Sequence, residues 1–215
     1  MDMERLTFDG WIAAVGTGSG TRVVVGHWPR SPFGSFSDVM LERPDGWRVL
    51  LAPTVETAAY VSAVYHFDEV RCVAVSVDVS DGVWDVAAGP LELRFAVGRR
   101  GPLGLALRAV PRPLARRPLW AAMADVPARL MAGVRTRGSS RPGCRQWYAA
   151  VDLRPIVTAQ ARLDGNDLGP LAPVSPPVRF GFGSAPSAPS LVRVVSTVES
   201  PPLRDPGPDR DRDRR

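Results

Sequence analysis

Hydrophobic residues alternate with polar or small ones along many short stretches of this 215-residue chain. Because the side chains of a strand point to its two faces in turn, this pattern predicts half-buried strands. The alternation is clearest between Val73 and Val79, where every second residue is valine, and we expect one strand over residues 70–79. The other predicted strands are 10–15, 22–28, 36–42, 47–51, 82–88, 91–97, 146–152, 156–163, 178–183 and 190–199.

One helix is predicted at 54–66, between the fourth and fifth strands. Thr54 can accept a hydrogen bond from the first helical turn, and Glu56 lies near the positive end of the helix dipole. An apolar stripe at helical spacing would face the core, and it is formed by Val55, Ala58, Val61, Val64 and Tyr65.

Two glycine-containing segments predict hairpin turns. Pro44-Asp45-Gly46 combines a residue with a preset φ and one that accepts a positive φ. The glycine-rich segment 16–20 has the composition of a phosphate-binding loop, but such a loop opens a helix. The residues that follow it, 22–25, are strand-like, so a hairpin loop is expected there.

These elements predict an α+β protein whose core is a mainly antiparallel β-barrel or a conical curved sheet. Closing the sheet would protect the edges that so many short strands create. Residues 103–133 are rich in alanine and leucine but interrupted by prolines, which predicts short helical pieces rather than one long helix. We expect one β-rich domain over residues 1–199, followed by a disordered tail rich in Pro, Asp and Arg over 200–215.

The chain contains 27 basic residues, and every one is arginine. The absence of lysine removes the usual Schiff-base nucleophile and the phosphate-binding lysine of P-loop proteins, because an arginine side chain stays protonated. Such usage is typical of proteins from GC-rich genomes. The two cysteines have no metal-binding spacing, and we expect neither a metal nor a cofactor. No secretory signal or long apolar segment is evident, so a cytoplasmic location is expected.

Arginine is concentrated in the middle of the chain, where residues 94–145 hold twelve Arg and a single acid, Asp125. Nucleic-acid binding is not expected, because Trp120 is the only aromatic residue between 96 and 145. Contact with an anionic membrane surface is one interpretation of the mixture of arginine with leucine. Pairing with the acidic first half of the chain is another. Arg99 or Arg145 could also bind a ligand carboxylate.

One motif is more specific. The segment Gly34-Ser35-Phe36-Ser37-Asp38 leads into a strand, a hairpin, a second strand, a helix and a long strand. This order resembles the acetoacetate decarboxylase superfamily, in which a Gly-x-Tyr-x-Glu segment enters a strand of a conical barrel. The resemblance implies that Asp38 takes the position of the family's active-site glutamate and Phe36 that of its tyrosine.

The stretch after the helix, where the decarboxylases carry their Schiff-base lysine, reads Tyr65-His66-Phe67-Asp68-Glu69 here. The resemblance therefore implies a barrel with a cavity but argues against Schiff-base decarboxylation. Residues 31–34 and 177–184 also look like a family from high-GC bacteria that has no established activity.

Three hypotheses for function follow. The first is a small-molecule-binding barrel whose cavity takes a mainly apolar ligand, which can bear a carboxylate. The second is a lyase- or hydrolase-like enzyme that uses Asp38 with His27 or His66 as acid and base. The third is a peripheral membrane or protein-interaction module built on residues 94–145. The residues expected to contact a ligand are Phe36, Trp28, Arg99 and Arg145.

Overall fold

The computed structural model describes residues 4–110, 137–138, 145–181 and 185–200. Within these residues the helices are α1 (Val55–Val64) and α2 (Pro102–Ala109). The strands are β1 (Glu4–Thr17), β2 (Arg22–Arg30), β3 (Phe36–Glu42), β4 (Arg48–Ala52), β5 (Glu69–Cys72), β6 (Val75–Ser80), β7 (Val83–Ala88), β8 (Leu91–Val97), β9 (Arg137–Gly138), β10 (Arg145–Leu163), β11 (Asn166–Asp167), β12 (Leu171–Ala172) and β13 (Ser190–Ser200).

The strands form one sheet in the order β5-β4-β3-β2-β1-β13-β10-β8-β7-β6, with the short strands β9, β11 and β12 paired beside it. Its described pairs are antiparallel except β4 with β5. Valines of β1 to β4 pack in a single cluster with Trp84, Leu93 and Phe95 from the other end of the sheet. The sheet is thus curled into a half-barrel, which confirms the predicted α+β class with a mainly antiparallel curved sheet.

The bend of the half-barrel lies in β10. The sequence predicts two strands here, 146–152 and 156–163, but they are two parts of one 19-residue strand. Its first part pairs with β13 as far as Pro155, and its second part pairs with β8 from Ile156 onward. The register is irregular on both sides of this point, and such irregularities increase the local bend of a strand.

The prediction of one strand over 70–79 is wrong. The chain leaves the sheet at Val73 and Ala74 between two strands that lie at opposite ends of it. β5 pairs in parallel with β4, whereas β6 pairs antiparallel with β7. The alternation of valines continues through the break, so the pattern gave no sign of the change of partner.

Helix α1 begins as predicted. Thr54 accepts a hydrogen bond from the Thr57 backbone N–H, and the Thr57 side chain accepts one from the Thr54 backbone in return. The helix ends at Val64, two residues before the predicted end. Val55, placed by the sequence on the apolar stripe, is 76% exposed, and the buried residues are Thr57, Ala58, Tyr60, Val61 and Val64.

The second face of the sheet is covered by α1 and by the segment 173–181. A strand predicted over 178–183 is not formed in the described residues 178–181. The Arg179 backbone N–H donates instead to the Glu42 carboxylate at 2.8 Å, and the Phe180 carbonyl accepts from the His66 backbone N–H at 2.8 Å. These contacts hold the segment against the sheet as an irregular cover.

Helix α2 corresponds to the first of the helical pieces predicted over 103–133. The rest of that prediction, from 111 onward, and the predicted tail lie outside the described residues. In the described part of the chain, neither helix is long and apolar enough to cross a membrane.

Candidate functional site

The site is built around Asp38, an acid in the middle of the sheet. Asp38 lies on β3, and its residue is only 3% exposed. Its Oδ1 accepts a hydrogen bond of 3.0 Å from the indole Nε1 of Trp28 on the neighbouring strand. Gly26 lies directly opposite Asp38 in the register of the two strands. The missing side chain at Gly26 leaves the space in which the carboxylate and the indole meet.

Strand periodicity decides which face Asp38 occupies. Phe36, Asp38 and Met40 point to the side covered by α1, whereas Val39 and Leu41 point into the half-barrel. The half-barrel interior is filled by hydrophobic side chains from both ends of the sheet. The cavity next to Asp38 therefore lies between the sheet and its cover, on the opposite side of the sheet from that interior.

This cavity has a volume of about 70 Å³. It is lined mainly by aromatic and aliphatic side chains, and Asp38 is the only charged residue among its described lining. The aromatic residues are Phe8, Trp28, Phe36, Tyr60, Tyr65, Tyr148 and Phe180; the others besides Asp38 are Ile12, Val24, Gly26, Met40, Val61, Val64, Val178, Gly181, Ala185, Ser196 and Val198.

The environment of Asp38 favours its protonated form. Burial away from water raises the pKa of its carboxyl to about 7, and the hydrogen bond from Trp28 opposes this rise only in part. The described lining contains no cationic side chain that would stabilise the carboxylate. Burial therefore brings the pKa of Asp38 close to neutral pH, and shifted pKa values of this kind are common at functional sites.

A pair of tyrosine hydroxyl groups contributes to the same cavity. The hydroxyl of Tyr65, just after α1, is hydrogen-bonded to that of Tyr148 on β10. The hydroxyl oxygens of Tyr65 and Tyr148 lie 3.3 and 3.4 Å, respectively, from Gln146 Oε1. Burial raises the pKa of Tyr65 well above its usual value, with further contributions from Tyr148 and from the charge of Asp38. The Tyr65 hydroxyl therefore keeps its proton at neutral pH.

His27, a predicted catalytic partner of Asp38, lies on the other face of the sheet. Its ring packs between Trp11 and Trp84 at 5.8 and 5.7 Å, and its Nδ1 is 2.8 Å from Ser37 Oγ. Burial lowers the pKa of this imidazole. Because neighbouring residues of a strand face opposite ways, the sheet separates His27 from Asp38.

The other predicted site residues divide into two groups. Phe36 and Trp28 line the cavity, as proposed for ligand contacts. His66, Arg99 and Arg145 are exposed and are not among its lining. The structure thus brings Asp38 together with the two aromatic residues but not with either histidine or either arginine.

Four residues of this site were not identified from the sequence. Tyr148 and Gln146 come from a strand about a hundred residues after Asp38, and no local pattern links them to it. Tyr65 was assigned only to the apolar stripe of the helix. Gly26 did carry a signal, because a glycine inside a strand often marks a close approach of another group.

The described residues contain no group of three or more His, Cys, Asp or Glu side chains that could hold a metal ion. Of the acids that follow His66, Asp68 binds the guanidinium of Arg48 at 2.8 Å and Glu69 binds that of Arg71 at 2.6 Å. The arginine contacts of these two carboxylates hold the pKa of each below its usual value.

Comparison with known proteins finds no matching family model and no matching curated protein. Two solved structures of acetoacetate decarboxylase are similar to the chain. One, from Legionella pneumophila subsp. pneumophila str. Philadelphia 1, is 10% identical, with 92% of this chain and 84% of that chain covered and a TM-score of 0.40. The other is 9% identical, with 92% and 87% covered and a TM-score of 0.43. Both belong to the superfamily that residues 34–38 resemble, at a distance that leaves activity and site residues undefined.

Proposed function

We propose that the protein binds a small, mainly apolar molecule in the cavity beside Asp38, with one polar group of the ligand bonded to that carboxyl. The observation that carries the proposal is a buried acid that lines a mainly apolar cavity. The described residues provide one donor to Asp38, the Trp28 indole, on Oδ1. Burial of a carboxyl group is less costly when it is hydrogen-bonded, and a polar group of a ligand in the cavity would add a hydrogen bond to that from Trp28.

The size of the cavity limits the ligand. A volume of about 70 Å³ is several times the roughly 10–15 Å³ needed for a water molecule and about half the roughly 150 Å³ of an engineered cavity that accepts benzene. The proposed ligand accordingly has only a few non-hydrogen atoms within the cavity. A carboxylic acid or carbonyl oxygen of the ligand would accept a hydrogen bond from protonated Asp38. An amine or alcohol would donate a hydrogen bond to the ionised carboxylate.

A second proposal is an enzyme in which Asp38 serves as general acid or base. It is favoured by the pKa of about 7, which suits proton transfer at neutral pH. The two histidines are placed away from Asp38, so the hydroxyls of Tyr65 and Tyr148 are the polar partners available in the cavity. Schiff-base chemistry is not part of either proposal, because the chain has no lysine.

The proposal can be tested by native mass spectrometry of the protein purified from its own host. A defined small-molecule adduct is expected for the wild type. Val61→Phe, which fills the cavity from α1, should abolish the adduct, whereas Val55→Phe on the exposed side of the same helix should retain it. Circular dichroism and urea unfolding would verify that both variants fold. An adduct that survives Val61→Phe would refute binding at this cavity.

A further inference from the structure

We infer that the molecule bound in this cavity is a small organic cation of the alkylammonium class. This inference rests on the proposed binding function and specifies the charge of its ligand. The cavity combines one buried carboxylate with seven aromatic side chains, and no arginine is among its described lining. The chain otherwise carries 27 arginines, so the lack of one around a buried acid is a specific property of this site.

The aromatic lining supports a cation by its own charge distribution. The faces of phenyl, phenol and indole rings carry partial negative charge and attract a desolvated cation. Phe8 lies at the centre of these rings, with centroid distances of 5.2 Å to Tyr60 and 5.7 Å to Trp28. Trp28 is also the residue that orients the Asp38 carboxylate. These rings line the same cavity as the acid, and any ring face open to the cavity would add attraction for a positive ligand.

The alternatives are less favourable on electrostatic grounds. An anionic ligand would place a second negative charge beside Asp38, and one of the two groups would have to take up a proton. A neutral alcohol would satisfy one hydrogen bond of the carboxyl but would not stabilise its ionised form, which burial disfavours. A cation removes that penalty, although its own desolvation opposes binding. The short apolar tail of an alkylammonium fits the hydrophobic part of the lining.

The described elements around Asp38 are consistent with this assignment. The titratable groups facing it are the three phenols of the lining, Tyr60 and Tyr65 from the α1 region and Tyr148 from β10. Strands β1 and β13 contribute hydrophobic residues and Ser196. In the covering segment, the guanidinium of Arg179 is engaged by Glu42 at 2.9 Å.

Binding of a cation to the ionised acid has a defined pH dependence. Because Asp38 in the free protein has a pKa of about 7, a large part of it is protonated at neutral pH and must lose its proton when the cation binds. Affinity should rise about tenfold per pH unit well below 7 and become constant above it. At pH 7 about half a proton should be released for each ligand bound. A carboxylate ligand would show the opposite trend.

The test uses three probes of similar size and different charge, n-propylammonium, n-propanol and propionate. Titration calorimetry of the full chain from pH 5.5 to 8.5, in buffers of different ionisation enthalpy, gives affinity and proton release together. We expect n-propylammonium to bind at least tenfold more tightly than the other probes at pH 8. Asp38→Asn should abolish this preference and the proton release, whereas Asp78→Asn, an exposed acid on another part of the sheet, should change neither.

The outcomes separate this inference from the proposed function. If n-propanol or propionate binds more tightly than n-propylammonium, the cationic assignment is overturned. If that binding is lost in Val61→Phe, the result still supports a ligand cavity. Equal binding of n-propylammonium by the wild type and Asp38→Asn would also overturn the assignment. Failure of all three probes to bind at any pH would contradict both proposals.

Discussion

Gly26 lies directly opposite Asp38 across the β2–β3 pair, and a Cβ atom at position 26 would stand 2.4 Å from Asp38 Oδ1. The same atom would lie 2.6 Å from Trp28 Nε1, the donor to that oxygen. The hydrogen bond between Trp28 and Asp38 therefore depends on the absence of a side chain at Gly26. A glycine in a strand interior weakens the strand, and here it makes room for a buried polar contact.

Gly26→Ala is expected to destabilise the protein by about 1–3 kcal/mol, the usual cost of an extra methyl group in a packed site. The added methyl must displace either the carboxylate or the indole. Urea unfolding would measure the change. In an Asp38→Ala background the penalty should become smaller, because one of the two displaced groups is gone. An equal penalty in both backgrounds would show that Gly26 does not act through Asp38.

Asp38 should make the stability of the protein decrease as the pH rises. Its pKa is about 7 in the folded protein against 3.8 for the ordinary group, so between these values the unfolded chain loses the proton first. The unfolded state then gains stability relative to the folded one, by up to about 4 kcal/mol across pH 4–7. Above the folded pKa the effect is constant.

Asp38→Asn removes this ionisation and should flatten the corresponding part of the stability curve. The difference in unfolding free energy between the variant and the wild type should therefore move in favour of the variant between pH 4 and 7.5. Asp78→Asn provides the control for loss of an exposed acid. The same pH dependence in wild type and Asp38→Asn would rule out a buried, high-pKa carboxyl at this position.

Glu42 anchors the segment that covers the cavity. It is fully buried and contacts Arg22 at 3.0 Å and Arg179 at 2.9 Å. Glu42→Gln should cost about 3–5 kcal/mol, because it leaves the buried Arg22 guanidinium without a counter-charge. Asp85→Asn is a matched control, since it removes the acid of an exposed pair with Arg94 and should cost less than about 1 kcal/mol. Similar losses in the two variants, measured by urea unfolding, would contradict this distinction.

Gly104 allows α2 to lie directly on β10. A Cβ atom at this position would be 2.1 Å from the Leu153 carbonyl oxygen. Replacing glycine by alanine inside a helix usually stabilises by about 0.5–1 kcal/mol, but Gly104→Ala should destabilise, because backbone atoms of β10 cannot move aside cheaply. Urea unfolding would measure the free energy of unfolding, which should be lower in Gly104→Ala than in the wild type. A more stable variant would show that α2 is not held against β10.

Local patterns in the sequence predicted much of the fold. The Thr54 cap located the start of α1, and alternation located the central strands. Alternation does not specify the partner of a strand, which explains why the change of partner at Val73 was missed. The segment 178–181 looked like a strand because its hydrophobic residues are buried, but its backbone is bonded to a side chain of β3 and to the end of α1.

The site was less accessible to sequence analysis because its parts come from distant positions. The resemblance carried by residues 34–38 selected Asp38, and the structure buries that residue in a cavity. His27 was proposed as a partner because it is one of two histidines in the chain, but it is adjacent in the strand to the cavity-lining Gly26 and Trp28 and so lies on the opposite face. The contact between Tyr65 and Tyr148 joins residues 83 positions apart, and only the three-dimensional arrangement of β10 against α1 reveals it.

The most direct test of the account is an NMR titration of the Asp38 carboxyl carbon, assigned by comparison with Asp38→Asn, with and without n-propylammonium. We predict a midpoint near pH 7 in the free protein and a lower midpoint when the cation is present. A midpoint near pH 4 that does not shift when n-propylammonium, n-propanol or propionate is added would contradict a buried ligand-binding carboxyl.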